Sequence, residues 1–149
     1  MAIKIICQNK KARFNYEIME TLEVGVVLTG TEVKSIRNGQ MSINESFVIM
    51  RNGEMFLLNT NIPLYNHGNK HNHEPFRTRK LLAHAHELRR LVGVTKEKGM
   101  TMMPMKVYWK NGKVKVEVGL GKGKKLHDKR RDQKDADWNR EKGRILKQN

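Results

Sequence analysis

The sequence predicts a small, mainly β domain that closes as an OB-like or SH3-like barrel and continues into a basic tail. Three observations predict this class. Two pairs of strand-like runs are joined by Asn-Gly turns, strand signals recur without the long rhythm of βαβ units, and positive charge becomes denser after residue 120. We therefore expect a barrel with two or three short helices over residues 1–120 and a separate tail over residues 121–149.

A strand and a helix are predicted early in the barrel. The lone cysteine, Cys7, is expected as a small apolar side chain in an N-terminal strand. Glu23–Leu28 predicts a strand because its valines supply β-branched bulk. Thr29 or Thr31 then caps a short helix that stops before Gly39, since glycine readily adopts the left-handed conformation found after helix ends.

Two hairpins follow. The first joins Ser46–Met50 to Glu54–Leu58, and the second joins Met105–Trp109 to Val114–Leu120. Each turn contains an Asn-Gly pair, which favours the positive φ angles of a type I′ turn. Apolar residues alternate with polar ones in the last strand, so one of its faces is predicted to be buried.

Between the hairpins the chain is polar and then basic. Asn59–Glu74 predicts a polar loop, and Arg77–Lys80 places three cations directly before an apolar pair. His84–Val92 has apolar residues at helical spacing, which predicts a short helix that Gly93 stops.

The charge balance favours a polyanionic partner. The 149 residues include 30 Lys+Arg and 15 Asp+Glu, which gives a net charge of +15. Nucleic acid is the commonest partner for such a surplus, and an anionic membrane is the alternative. A spanning segment needs about 18 consecutive apolar residues, which the sequence lacks, and the mean hydropathy is −0.71. Because signal-peptide features and cysteine pairs are also lacking, we expect a cytoplasmic protein without a membrane partner.

The tail is the most charge-dense segment. Residues 121–149 carry a net charge of +6, against +9 for the first 120 residues. Its few large apolar residues cannot offset the entropy of ordering, so the free tail is predicted to be disordered. Trp138, Ile145 and Leu146 share one side at helical spacing, and we expect a basic helix when the tail binds a polyanion.

The sequence lacks the signature of a catalytic or metal site. The first 120 residues contain no aspartate, and the glycines of 119–124 lack the spacing of a phosphate-binding loop. His67, His71 and His73 share the polar loop, but zinc usually needs four ligands and cysteine pairs. We expect a solvated loop and a non-enzyme without metal or cofactor, with a metal-dependent nuclease as the alternative.

Basic and aromatic residues together predict an RNA-binding surface. Cations hold phosphates, and aromatic rings stack on unpaired bases. A merely soluble basic surface is the alternative, but cations outnumber acids two to one. The clusters expected to form the surface are Lys10–Tyr16, Arg77–Lys80 and the Lys113/Lys115 face of the last strand.

A run near the start of the tail carries a family resemblance. Residues 122–130, Lys-Gly-Lys-Lys-Leu-His-Asp-Lys-Arg, resemble the signature of the SsrA-binding protein (small protein B, SmpB) family. Further matches run along the whole chain, and collinear motifs are far more specific than any one of them. These matches are Asn9–Ala12, Gly30–Arg37, Phe76–Leu82, Tyr108–Asn111 and Glu141–Lys147.

The resemblance implies both fold and function. It implies an OB-type barrel that binds the tRNA-like domain of transfer-messenger RNA (tmRNA, or SsrA RNA) and promotes its delivery to stalled ribosomes in bacterial trans-translation. It implies a tail that enters the empty messenger channel near the decoding centre, against 16S ribosomal RNA, so that the nascent peptide is tagged and the ribosome released. It also implies a monomer bound 1:1 to tmRNA, with elongation factor Tu and alanyl-tRNA synthetase reached only through that RNA.

The resemblance also assigns residues. Glu23, Leu82, Lys115 and Gly123 match the RNA-facing or function-critical set, and Leu146 stands where the family often has methionine. With the basic residues added, the expected tmRNA-binding residues are Lys10, Lys11, Arg13, Glu23, Arg37, Arg79, Lys80, Leu82, Lys115 and Gly123. The expected tail residues are Lys124, Lys125, His127, Asp128, Lys129, Arg130, Lys134, Arg140, Lys142, Arg144, Ile145 and Leu146.

Two other functions remain open from the sequence. A ribosomal protein or assembly factor with a basic extension would share the charge pattern, but it would stay on 70S particles through a high-salt wash. A peripheral membrane protein acting through its tail would bind anionic vesicles in preference to RNA.

Overall fold

The computed structural model describes residues 3–65, 72–96 and 99–123. These residues form seven strands and three helices. In chain order the elements are β1 (Ile3–Gln8), α1 (Ala12–Asn15), β2 (Tyr16–Val26), α2 (Gly30–Arg37), β3 (Phe47–Arg51), β4 (Glu54–Leu58), β5 (Arg79–Leu82), α3 (Ala85–Val94), β6 (Met100–Lys110) and β7 (Lys113–Gly123). The predicted conformations of the tail lie outside the described residues.

The strands close into one antiparallel barrel. β6 pairs with both β3 and β7, and the path continues from β3 through β4, β5 and β2 back to β7. β1 pairs with the C-terminal half of β6, whereas β3 meets β6 near its start. Closure leaves little unpaired strand edge, which is how small barrels avoid edge-to-edge association. The predicted mainly β, closed barrel is confirmed.

Both predicted hairpins are confirmed, and their turns have the expected geometry. The φ angles are 54° and 76° at Asn52 and Gly53, and 54° and 74° at Asn111 and Gly112. Positive values at both central residues are those of a type I′ turn. β6 and β7 are each 11 residues long, and a register shift after Pro104 accommodates a residue that cannot donate to the ladder.

The helices are also close to the predicted ones. Thr29 caps α2, because its hydroxyl accepts from the backbone N–H of Glu32 while the Glu32 carboxylate accepts from the backbone N–H of Thr29. Thr31 is therefore not the cap. α3 runs through Gly93, which was predicted to stop it. None of these helices of the described ranges is long and apolar enough to cross a membrane.

The first half of β2 and the helix α1 were not predicted. The sequence indicates a strand only from Glu23, whereas β2 begins at Tyr16. Tyr16–Gly25 pairs with residues 115–123 of β7, and this distant partner overrides the low strand propensity of the glutamates. For the same reason β7 continues to Gly123, beyond the predicted domain boundary at residue 120.

Apolar side chains fill the barrel. Val116 and Val118 of β7 are fully buried, which confirms the buried face predicted from alternation. Ile36 of α2 and Leu91 of α3 belong to the same core cluster. Cys7 lies half-buried against this core, and burial raises the pKa of its thiol to about 12. The thiol is therefore neutral and packs as a small apolar group.

Candidate nucleic-acid interface

Strand register brings three of the predicted RNA-facing residues onto one outer face. Gly25 of β2 pairs with Leu82 of β5 on one side and with Lys115 of β7 on the other. Glu23 is two residues before Gly25, and Val24 between them is buried, so Glu23 shares their side of the sheet. We call this surface, defined by Glu23, Gly25, Leu82 and Lys115, the Glu23 face.

Two residues of β6 hold the Glu23 carboxylate. The Tyr108 hydroxyl donates a 2.5 Å hydrogen bond to Glu23 Oε2, and Lys110 Nζ lies 3.2 Å from the same oxygen. The pKa of Glu23 is lowered chiefly by the Tyr108 hydrogen bond, with further help from Lys110 and the charge of Lys115. The Glu23 face therefore carries an ionised, oriented hydrogen-bond acceptor.

A cavity of about 370 Å³ opens on the same face, lined in part by its residues Gly25, Leu82 and Lys115. Leu82, Trp109, Lys113 and Lys115 are among the residues that line it. Leu82 is 51% exposed, so it offers apolar contact surface on this charged face. Apolar walls beside lysines suit a ribose or an unstacked base whose phosphates lie near the amines. Arg37 is exposed one helical turn beyond Val33, another residue of the lining.

The N-terminal cations adjoin this face. Lys10, Arg13 and Lys106 line a second cavity of about 360 Å³. Lys106 Nζ lies 3.5 Å from Glu117, and Glu117 is the register partner of Glu23 on the neighbouring strand. The basic surface therefore continues from the Glu23 face toward the start of α1.

Alternation along β5 separates two predicted RNA-binding residues. Lys80 is exposed like Leu82, and its amine lies 3.2 Å from Glu54. Arg79 points inward and is fully buried, with Nε 2.5 Å from Glu32 and Nη1 donating to the Thr60 carbonyl at 2.9 Å. A buried guanidinium cannot contact RNA, so the prediction for Arg79 is wrong. Its role is to join β5, α2 and the loop after β4.

Two predicted residues lie away from the Glu23 face. Lys11 lines a different cavity, which it shares with Tyr16 and Phe47. Gly123 pairs with Tyr16, whereas Lys115 pairs with Gly25 at the other end of β2. Eight strand residues span roughly 26 Å, so Gly123 is at the far end of the barrel.

The predicted tail residues lie outside the described residues. The structure therefore places none of Lys124, Lys125, His127, Asp128, Lys129, Arg130, Lys134, Arg140, Lys142, Arg144, Ile145 and Leu146. Gly123 is the last residue of β7 and the last described residue before them.

The histidine loop differs from its prediction in one respect. His67 and His71 lie outside the described residues, but His73 is buried instead of solvated. Its Nδ1 lies 2.9 Å from the Thr31 hydroxyl and its Nε2 lies 2.7 Å from the Ile62 carbonyl, so the ring ties the loop to α2. Within the described ranges, no group of three or more metal-ligating side chains comes together.

Sequence reasoning missed the supporting residues of β6. Tyr108 and Lys110 belong to a matched motif, but their contact with Glu23 was not predicted, because Glu23 is 85 residues from Tyr108. The available signal was alternation, which places Tyr108 opposite Lys115 once β6 and β7 are paired.

Comparison with known proteins identifies the family. The family model described as SmpB protein matches residues 6–148. The chain belongs to the SmpB family. An SsrA-binding protein of Magnetococcus marinus is 55% identical over 149 residues, covering 100% of this chain and 99% of the relative. Another, from Rhodopseudomonas palustris, is 53% identical over 147 residues and covers 98% of this chain and 94% of the relative.

A solved structure shows the same fold in this family. It is described as "tmRNA-SmpB: a journey to the center of the bacterial ribosome" and has 47% sequence identity to this chain. The match covers 80% of this chain and 85% of that chain, with a TM-score of 0.66. The resemblance seen in the motifs is therefore confirmed, and the barrel is that of an SmpB protein.

Proposed function

We propose that this protein binds the tRNA-like domain of tmRNA through the Glu23 face and promotes delivery of that RNA to stalled ribosomes. Its tail would then occupy the empty messenger channel at the decoding centre, so that the nascent peptide is tagged and the ribosome released. The observation that carries the proposal is the convergence of Glu23, Leu82 and Lys115 from three strands onto one surface. Membership of the SmpB family supports it.

The composition of the Glu23 face suits a folded RNA. Lys113 and Lys115 supply cations for phosphates, while Leu82 and Trp109 supply apolar surface for a base or ribose. Such a surface recognises shape, phosphates and unstacked bases together, which is how proteins bind structured RNA outside regular helices. Lys10, Arg13 and Lys106 extend the phosphate-binding area beyond the cavity.

The proposed role is binding and placement, not catalysis. The protein acts as a monomer, one per tmRNA, in the cytoplasm and without a cofactor. Elongation factor Tu and alanyl-tRNA synthetase are reached through the RNA. The tail, with a net charge of +6 over residues 121–149, would become helical where ribosomal RNA neutralises its charge.

A charge-reversal pair tests the RNA-binding part of the proposal. Lys115→Glu reverses a charge on the Glu23 face, and we expect at least a tenfold loss of affinity for a tmRNA transcript in filter binding. Lys96→Glu is the matched control, because it changes the net charge equally but lies after α3, next to Thr95 and the groove at the Tyr16 end. Equal losses in the two variants would mean that net charge alone drives binding, and the proposed face would be wrong.

A further inference from the structure

A buried tyrosine holds an exposed carboxylate at the centre of the Glu23 face. Tyr108 is only 3% exposed, because its strand lies between β1 and β7, where it pairs with Ile5 and Lys115. Its hydroxyl nevertheless reaches Glu23 Oε2 at 2.5 Å. Tyr108 therefore presents almost no surface to a bound RNA, yet it fixes a side chain that does.

The two carboxylate oxygens of Glu23 are not equivalent. Oε2 accepts from both Tyr108 and Lys110, whereas Oε1 has only Lys110 at 3.3 Å among the described residues. The Glu23 side chain is 36% exposed. Oε1 therefore has unused acceptor capacity on a solvent-accessible carboxylate.

A carboxylate selects a particular kind of RNA group. An ionised carboxylate only accepts hydrogen bonds, and it repels phosphate. On RNA its partners are therefore N–H groups of an unpaired base edge or a ribose 2′-hydroxyl. We propose that Tyr108 is a positioning residue that orients Glu23 so that Oε1 accepts a hydrogen bond from such a donor of the bound RNA. This role rests on the proposed function.

A double-mutant cycle with a tmRNA transcript tests the role of Tyr108. We expect Tyr108→Phe to weaken binding about fivefold to tenfold, the size of one ordinary net hydrogen bond. Glu23→Gln should weaken binding by a similar or larger factor, and the double variant should be no weaker than Glu23→Gln alone. Tyr65→Phe, which removes a tyrosine hydroxyl between β4 and β5 and outside the expected RNA-binding clusters, is the matched control and should bind as the unaltered protein does.

The pH profile gives a readout that a purely structural tyrosine would not change. The groups facing Glu23 are Tyr108 and Lys110 of β6 and Lys115 and Glu117 of β7. Because the Tyr108 hydrogen bond lowers the pKa of Glu23, affinity should be full at neutral pH and fall only as acidification protonates the carboxylate. In Tyr108→Phe that pKa rises, so affinity should begin to fall at a higher pH.

Each outcome has a distinct meaning. If the unaltered protein does not bind the transcript, the proposed function fails. If it binds but Tyr108→Phe binds equally well, or the two losses multiply in the double variant, the positioning role fails alone. If thermal melting shows that Tyr108→Phe is unstable, Glu23→Asp tests the positioning of the carboxylate instead. It keeps the charge but is one methylene too short to hold both contacts, so it should show the same loss, and full affinity in that variant would overturn the proposal.

Discussion

Two adjacent cations of β5 have opposite environments, because neighbouring residues of a strand point to opposite faces. Arg79 is buried against Glu32, while Lys80 is exposed beside Leu82. The sequence placed both on the RNA surface, although period-two alternation with Leu81 and Leu82 already indicated that one cation must point inward. What the sequence does not contain is the partner: Glu32 is 47 residues away on α2. Burial of a charge depends on such distant pairing and cannot be read locally.

Replacing Arg79 should destabilise the fold. We expect Arg79→Met to lower the free energy of unfolding by about 3 kcal/mol, because it leaves the fully buried Glu32 with Arg77 as its remaining cation. Urea denaturation measures the change. Lys80→Met is the control and should alter stability by less than about 0.5 kcal/mol while weakening tmRNA binding. A stable Arg79→Met protein with impaired RNA binding would restore the original prediction for Arg79.

Two glycines of β7 should respond differently to the same substitution. A Cβ at Gly121 would lie only 2.4 Å from the Glu17 carbonyl oxygen, whereas a Cβ at Gly123 would meet nothing within 4 Å. Gly121→Ala should therefore force β2 and β7 apart and cost about 2 kcal/mol, and Gly123→Ala should melt normally. Differential scanning calorimetry compares them. If both variants melt normally, the close approach at Gly121 does not constrain the fold. A tagging defect in a Gly123→Ala protein that melts normally would instead indicate a functional contact at Gly123.

At the level of elements, the sequence predicted the features that depend on interactions between neighbouring residues. The Asn-Gly turns, the alternation of β7 and the cap of α2 each depend on residues close in sequence; the turns and the alternation were predicted correctly, and the cap was narrowed to Thr29 or Thr31. The start of β2 was missed because the Glu-rich residues before Glu23 become a strand only by pairing with β7. The Glu23 face itself forms only when β5, β2 and β7 are paired. Its residues were therefore predicted from the family resemblance, whereas their grouping on one surface was seen only in the structure.

The α2 cap offers a test at this scale. Thr29→Ala removes one half of the capping box, and we expect a loss of about 1 kcal/mol of stability. Thr29→Ser keeps a hydroxyl for the backbone N–H of Glu32 and should retain most of the stability. Thermal unfolding followed by circular dichroism compares the two. Equal loss in both variants would show that the methyl group, and not the hydroxyl, stabilises the start of the helix.

At the scale of the whole molecule, β7 connects two proposed activities. Lys115 near its start belongs to the Glu23 face, and Gly123 at its end directly precedes the tail residues in sequence. Because β7 pairs along its length with both β2 and β6, the two ends are held at a fixed separation. In the proposed function, one RNA would bind near one end of β7, while the tail that follows the other end in sequence would contact a different partner.

Binding through phosphates should be steeply salt-dependent. With about 4 to 6 phosphate contacts, the logarithm of the tmRNA association constant should fall with the logarithm of salt concentration with a slope of roughly −3 to −5. Filter binding at salt concentrations between about 50 and 200 mM measures the slope. Lys115→Glu should make it shallower by at least about one unit. A slope near zero would mean that phosphates contribute little, and the basic surface would not be the binding site.

In the proposed function, the barrel binds tmRNA and the tail acts on the ribosome. A protein that ends after Gly123 tests it most directly, because this cut preserves all of β7, including Gly121 against Glu17. The truncated protein should bind a tmRNA transcript within about threefold of the full chain, a loss of less than 1 kcal/mol, yet support no peptide tagging on stalled ribosomes. If truncation instead lowers tmRNA affinity as much as Lys115→Glu does, or leaves tagging intact, the division between barrel and tail is contradicted.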